Sequence, residues 1–316
     1  MKRILIFVAA LVAVACTSHQ TPPAGIHSEA DFLAFARDVN GGATPVRWQD
    51  STGVVRLHTD LDLSAVEEWR PIGEEPLTAF RGVFDGGGHR IKGLRVKSDS
   101  LRVGLFGVNT GTIRNLTLAA SVRFEAHHPQ VLLGALCAEN HSLVEGCVSE
   151  AELFAERGCV GGLVGRMMPL GEGEPTPQLR LSEHRGEVRG LGNQTGGLVG
   201  WSYRAAIDSC LNRGAVVGEG WFSGGICGMN GGRIAASSND ATVSSRHFAG
   251  GIVGVNSREG VVEDCTNRGR IEGEKCGAMV GEAEDGSTLR RSHNEGAPSR
   301  DIGENKGHVH TEACRH

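Results

Sequence analysis

A right-handed parallel β-helix, closed at one end by a short N-terminal capping helix, is the all-β fold class that this sequence predicts. Three observations predict it. Gly-Gly-Leu-Val-Gly at 161–165 returns at 196–200, then as Gly-Gly-Ile-Cys-Gly at 224–228 and Gly-Gly-Ile-Val-Gly at 250–254. Looser copies start at 103, 134 and 277, so the steps are 31, 27, 35, 28, 26 and 27 residues, and self-similarity at such a period marks a solenoid. Glycine fills 47 of 316 positions and is spread at the repeat period, whereas aromatics are only 5%; this is not a flexible low-complexity chain. Each copy is followed by a polar turn, a second short strand, an Arg-Gly or Glu-Gly step and a third strand.

The chain opens with Lys2 and Arg3, followed by an apolar run at 4–14. Eleven residues are too few to span a bilayer and suit the core of a signal peptide. The run ends in Ala13-Val14-Ala15-Cys16, which resembles the bacterial lipobox. That resemblance implies a signal peptide over 1–15, lipidation of Cys16 and a polar tether over 16–26. Thr17 stands where an aspartate would mark inner-membrane retention, so an outer-membrane lipoprotein is expected, facing the cell surface or the periplasm.

Ser28-Glu29-Ala30-Asp31 starts the capping helix: Ser28 suits the cap and the acids suit the positive helix end. Phe32, Phe35, Ala36 and Val39 then share one face, and Asn40-Gly41-Gly42 ends the element. A bare terminal coil would expose a strand edge and an apolar interior, so a cap is expected there. The stretch 55–63 alternates as a strand with Val55, Leu57, Thr59, Leu61 and Leu63 inward. Residues 85–89 form a turn, in which Asp85 bonds its own following amides.

At this point the order of motifs becomes specific. A strand with Asp-Leu-Asp-Leu is followed by Trp69-Arg70-Pro71-Ile72-Gly73, then by Phe-Arg-Gly-Val-Phe-Asp-Gly-Gly-Gly-His-Arg-Ile-Lys-Gly-Leu from Phe80. Gly-Leu-Phe-Gly-Val-Asn-Thr-Gly-Thr-Ile-Arg-Asn-Leu from Gly104 comes next. The series resembles bacterial envelope proteins with GLUG-motif repeats, found in large adhesins and beside some immunoglobulin A peptidases. The resemblance covers about 27–296 and implies the β-helix and an adhesin-like setting, with no catalytic residues to carry over. The solenoid is placed at 27–300 and a polar His/Cys tail at 301–316.

Aligning the second strands produces columns. Cys147, Ser182, Cys210, Ser237, Cys265 and Ser292 fall in one, and His184, Asn212, Asn239, Asn267 and Asn294 in another. Stacked asparagines hydrogen-bond along the stack. Cysteines of the first column lie two coils apart, about 9.6 Å, beyond the reach of a disulfide. They are read as buried thiols acting as small hydrophobes, as are Cys137 and Cys227; Cys159 and Cys276 lie near coil ends, and a bonding partner for either stays open. The Pro/Gly-rich stretch 166–178 is a loop that explains the one long period.

Composition removes several function classes. A net charge of −5 with interspersed signs is not a nucleic-acid footprint. His-Glu-x-x-His, Gly-x-Ser-x-Gly and a phosphate loop are absent, and no cofactor is implied. Asp60, Asp62 and Asp85 read as solvated or turn-forming, and the tail His308, His310, His316 and Cys314 lacks a second ligand pair for a metal. Arg185, Arg213 and Arg268 form a column broken by Asp240 and ended by Glu295, which points to a salt-bridged surface. Trp201, Tyr203 and Trp221 stand out in a chain poor in aromatics, and are placed on turns as candidate ligand-binding residues. The expected function is non-catalytic, adhesin-like binding of a glycan or a host or bacterial surface protein, by a protein held at the membrane through Cys16. The alternatives are a polysaccharide lyase or hydrolase and a structural envelope protein.

Overall fold

The computed structural model describes residues 24–43, 45–296, 300–306 and 310–312. Helix α1 (Glu29–Asn40) is capped by Ser28, whose hydroxyl accepts from the Asp31 amide at 3.2 Å. Its buried face is Phe32, Phe35, Ala36 and Val39, as the spacing predicts. Phe35 packs edge-on to Phe80 at 6.0 Å and beside Phe84 at 5.9 Å, so the helix closes the apolar interior of the first turns.

Beyond α1 the chain winds a parallel β-solenoid of about nine turns. One broad sheet has 16 strands and comprises two side-by-side stacks; a nine-strand sheet and two seven-strand sheets complete the circuit. All strand pairs between turns are parallel, as in Cys137↔Val164↔Val199↔Cys227. The stretch 55–63 is not one strand: Val54–Arg56 and Leu61–Asp62 lie in different sheets, because a solenoid turn must bend between faces. Val55, Leu57, Leu61 and Leu63 are buried all the same, while Thr59 is only half-buried. Ile302–Asn305 and His310–Glu312 also pair onto the broad sheet, so strands continue into the segment expected as a tail. Cys16 and Cys314 lie outside the described residues.

The Gly-Gly-Leu-Val-Gly motif is a corner between two sheets. Cys159–Gly161 ends on its first glycine, and Val164–Met167 starts at its valine. Leu163 and Val164 are fully buried. The second glycine is required by contact: a Cβ on Gly197 would lie 2.1 Å from the Gly225 carbonyl oxygen and 2.5 Å from Asn212 Cγ. Gly225 meets Asn239 and Gly251 meets Asn267 in the same way, so each such glycine vacates a seat for one residue of the asparagine column.

That column is a hydrogen-bonded ladder. Asn212 Nδ2 donates to Asn239 Oδ1 at 2.8 Å, Asn239 to Asn267 at 2.9 Å, and Asn267 to Asn294 at 3.1 Å. Each amide also closes its own turn, as where Asn212 Nδ2 donates to the Gly214 carbonyl at 3.0 Å. The cysteine/serine column works by alternation. Ser182 Oγ accepts from the Cys147 amide at 3.1 Å and donates to the Arg180 carbonyl at 2.8 Å, and Ser237 repeats the first bond with Cys210 at 3.1 Å.

Between the broad and nine-strand sheets the turns from Asn115 onward make a tight left-handed corner. Asn115, Gly146, Leu181, Ser209, Ala236, Asp264 and Arg291 occupy it with φ between 46° and 60°. Only one of these is the glycine that such a backbone favours.

Candidate binding surface

The two stacks of the broad sheet meet at a second corner, and here the turns diverge. Asn109 Nδ2 donates to Asn140 Oδ1 at 2.8 Å, and Asn230 to Asn256 at 2.9 Å. Between these pairs the register places Met167 and Ser202. Ser202 Oγ is buried without a hydrogen-bond partner. The loop following Met167 leaves the solenoid where this asparagine ladder is missing. A turn closed by the amide stays short, two residues to Gly111 after Asn109 and four to Gly260 after Asn256, whereas an apolar methionine imposes no such closure.

A hollow of about 340 Å³ lies between that loop and the following turns. Pro169 and Glu174 line one side, Arg204 and Ala205 the other, with Gly231 and Gly232 as floor. The strand Val199–Asp208 slips register against Cys227–Ala235 between Tyr203 and Ala206, and Arg204 there has φ 47°. A Cβ on Gly232 would lie 2.2 Å from the Ala205 carbonyl oxygen, so only glycine admits this bulge. The Tyr203 ring lies along Gly231 and is 42% exposed. Among the described residues the side chains of Arg204, Glu174 and Glu259 around the hollow make no ion pair. An exposed ring beside free charges of both signs is the composition that recognises hydroxyl-rich or polar partners.

The three aromatics expected on turns are placed differently. Trp201 and Tyr203 are within a strand, not a turn, on its outward side, with Ser202 facing in. Ser202 holds the register of Asn230, each lying two residues past the last glycine of its motif. Trp201 is half-buried against Leu132, Ala138 and Cys159, with the Arg166 guanidinium 5.8 Å from its ring centroid. Trp221 does lie in a bend, 51% exposed, and stacks on His247 at 4.5 Å. It precedes a strand of a different sheet, Phe222–Gly224, so it is not gathered with Tyr203 into one site.

The charged columns are neutralised along the stack. Arg185, Arg213 and Arg268 interleave with acids: Arg213 pairs with Glu183 at 2.9 Å, and Arg268 with Asp240 at 3.1 Å and Glu295 at 3.0 Å. A second column was not visible in the sequence. Its register runs Arg56, Asp85, Arg114, Glu145, Arg180, Asp208, Ala235, Glu263, Arg290, alternating in sign save at Ala235. There Arg233 bridges Asp208 at 3.6 Å and Glu263 at 2.6 Å. Burial alone would raise the Glu263 pKa, but hydrogen bonds from Arg290 and Arg233 outweigh it and hold the carboxyl below its usual range. Asp85 is likewise buried and paired with Arg56 and Arg114, not solvated.

The cysteines Cys137, Cys147, Cys159, Cys210, Cys227, Cys265 and Cys276 are all free thiols. Burial pushes Cys147, Cys210 and Cys265 up to about 12 and Cys159 to about 11, so they remain protonated and unreactive near neutral pH. Among the described residues no three of His, Cys, Asp or Glu are gathered as metal ligands would be.

No family model and no curated protein matches the chain. Among solved structures, a crystal structure described as a putative immunoglobulin A1 protease from Bacteroides ovatus is similar, with a TM-score of 0.62 and 19% identity. The match covers 90% of this chain and 84% of that one. The likeness is one of fold.

Proposed function

We propose that this is a non-catalytic envelope lipoprotein of the GLUG-repeat type, anchored through Cys16, that binds a glycan or a surface protein at the corner around Tyr203. The observation that carries the reading is the hollow beside Tyr203, where the repeat is broken, the floor is glycine and, among the described residues, Arg204, Glu174 and Glu259 make no ion pair, although Arg233 of the same lining is held by Asp208 and Glu263. The columns of Arg185 and Arg114, by contrast, are salt-bridged along the stack. Trp221 supplies a second exposed ring on its own corner, and Trp201 a packing surface beneath the outward face. A glycan and host-protein binding screen on residues 17–316 tests it, with Tyr203→Ala and Trp221→Ala alongside. Binding that survives both substitutions would refute the site, and whole-cell protease shaving tests surface exposure.

The fold likeness to a protein described as an immunoglobulin A1 protease favours one other reading, an enzyme acting on immunoglobulin. Cleavage of immunoglobulin A1 by the purified chain would establish it.

A further inference from the structure

The cap carries a cavity independent of the Tyr203 corner. It lies between the C-terminal half of α1 and the segment joining Leu63 to Pro71, and holds about 550 Å³, the size of a small-ligand site. One wall is apolar, from Leu33, Val66 and Trp69; the rest is polar, from Arg37, Glu68 and Arg70. The wall is rigid. Trp69 Nε1 donates to the Gly104 carbonyl at 3.0 Å, and its ring stacks on Phe32 at 5.7 Å with an interplanar angle of 2°. Asn40 ties helix to segment: its Nδ2 donates to the Pro71 carbonyl at 3.0 Å, and its Oδ1 accepts from the Gly73 amide at 2.8 Å.

The charges are unequal. Arg70 is held by Glu74 at 2.5 Å, whereas the Arg37 guanidinium has no partner among the described residues. A fixed indole beside an unpaired guanidinium suits a ligand with an apolar face and an anionic group. The polar half of the lining disfavours an acyl chain, which would want apolar contact on all sides. We infer that the cap binds a sugar acid, a pyranose bearing a carboxylate. The carboxylate pairs with Arg37, the C–H face of the ring lies on Trp69, and Glu68 accepts from a hydroxyl.

Isothermal titration of the chain from Thr17 onward, with glucuronate, N-acetylneuraminate, glucose and hexanoate, tests this. Saturable binding of at least one of the two sugar acids, and of neither glucose nor hexanoate, is expected. Arg37→Gln, on the exposed side of the helix, should weaken that binding by about 10-fold or more, while Tyr203→Ala leaves it unchanged. Should Arg37→Gln fail to fold, Glu68→Ala, at an exposed position whose carboxylate accepts from the sugar hydroxyl, serves as the second variant, and undiminished affinity there would overturn the inference. No heat from either sugar acid at millimolar concentration would overturn the inference. So would equal binding of hexanoate, or undiminished affinity in a folded Arg37→Gln chain.

Discussion

Replacing His184 by asparagine should stabilise this protein, and more so in acid. His184 stands directly before Asn212 in the ladder register, in a position where the following turns carry asparagine. Its ring is fully buried, and neither nitrogen meets hydrogen-bonding geometry. Burial pushes its pKa from the usual 6.5 down to about 4, against weaker opposing effects of the Gly186 and Ser149 backbone. The unfolded chain therefore takes up the proton first as pH falls. Stability contributed by the neutral ring is complete above about pH 6.5 and declines as pH drops toward 4. Linkage makes that loss about 2 kcal/mol at pH 5 and about 3 kcal/mol below pH 4. Asparagine does not titrate, and the seat already fits it, since Gly162 faces the His184 ring as Gly197 faces Asn212. It would also supply the missing donor to Asn212 Oδ1, about 1 kcal/mol at any pH. Urea midpoints at pH 8 and pH 5 for both chains give the comparison. The expected result is a gap between variant and parent that widens by about 2 kcal/mol at the lower pH. A gap that does not change with pH, or a His184 ring resonance titrating near 6.5, would sink the reasoning.

Four further outcomes follow from the same geometry. Leu181→Gly should raise stability by about 1 kcal/mol, since Leu181 is 61% exposed at φ 52° and loses little packing; an unchanged melting temperature would contradict the strain. Gly197→Ala should cost roughly 3 kcal/mol, because its Cβ has nowhere to go between the Gly225 carbonyl and Asn212, read as a lowered thermal midpoint. Glu263→Gln should lower stability at pH 7, and the gap to the parent should narrow as pH falls below the usual carboxylate range, because a carboxylate of depressed pKa contributes above its unfolded value and loses that contribution in acid; its arginine partners are half-exposed, so water screens the pairs, and urea midpoints at pH 7 and in acid give the comparison. Leu163→Asp should cost several kcal/mol by burying an unpaired charge, and parent-like melting would refute the inward placement of the motif.

The backbone plan was legible because its causes are local and repeated. A glycine pair that must clear a neighbouring carbonyl, and an asparagine that must close its own turn, leave the same letters in turn after turn. The alternating salt-bridge column left none. Its members change sign at each step and are separated by unequal spacings, so a search for one residue type cannot find Arg56, Asp85, Arg114 and Glu145 as one row. Only the strand register reveals it. The site was less legible than the fold. Trp201 and Tyr203 read as turn residues from the glycine motif before them, yet the strand runs on to Asp208 and sets both rings on its outward side. The bulge at Arg204 has no sequence signature apart from Gly231 and Gly232 in the turn after it. The cap cavity draws on Arg37 and Trp69, which lie 32 positions apart and become neighbours only when α1 docks.

Each seat and its occupant lie within one turn of the chain: Gly197 with Asn212, Gly225 with Asn239, Gly251 with Asn267. A segment running from one such glycine to the next is thus self-sufficient, bringing its own corner, its own amide and the contacts for both. Duplicating or excising two such segments together would leave no seat empty and would keep the serine that accepts from each preceding cysteine amide. A single segment would set cysteine on cysteine or serine on serine, so the natural step of length is two turns, roughly 9.6 Å.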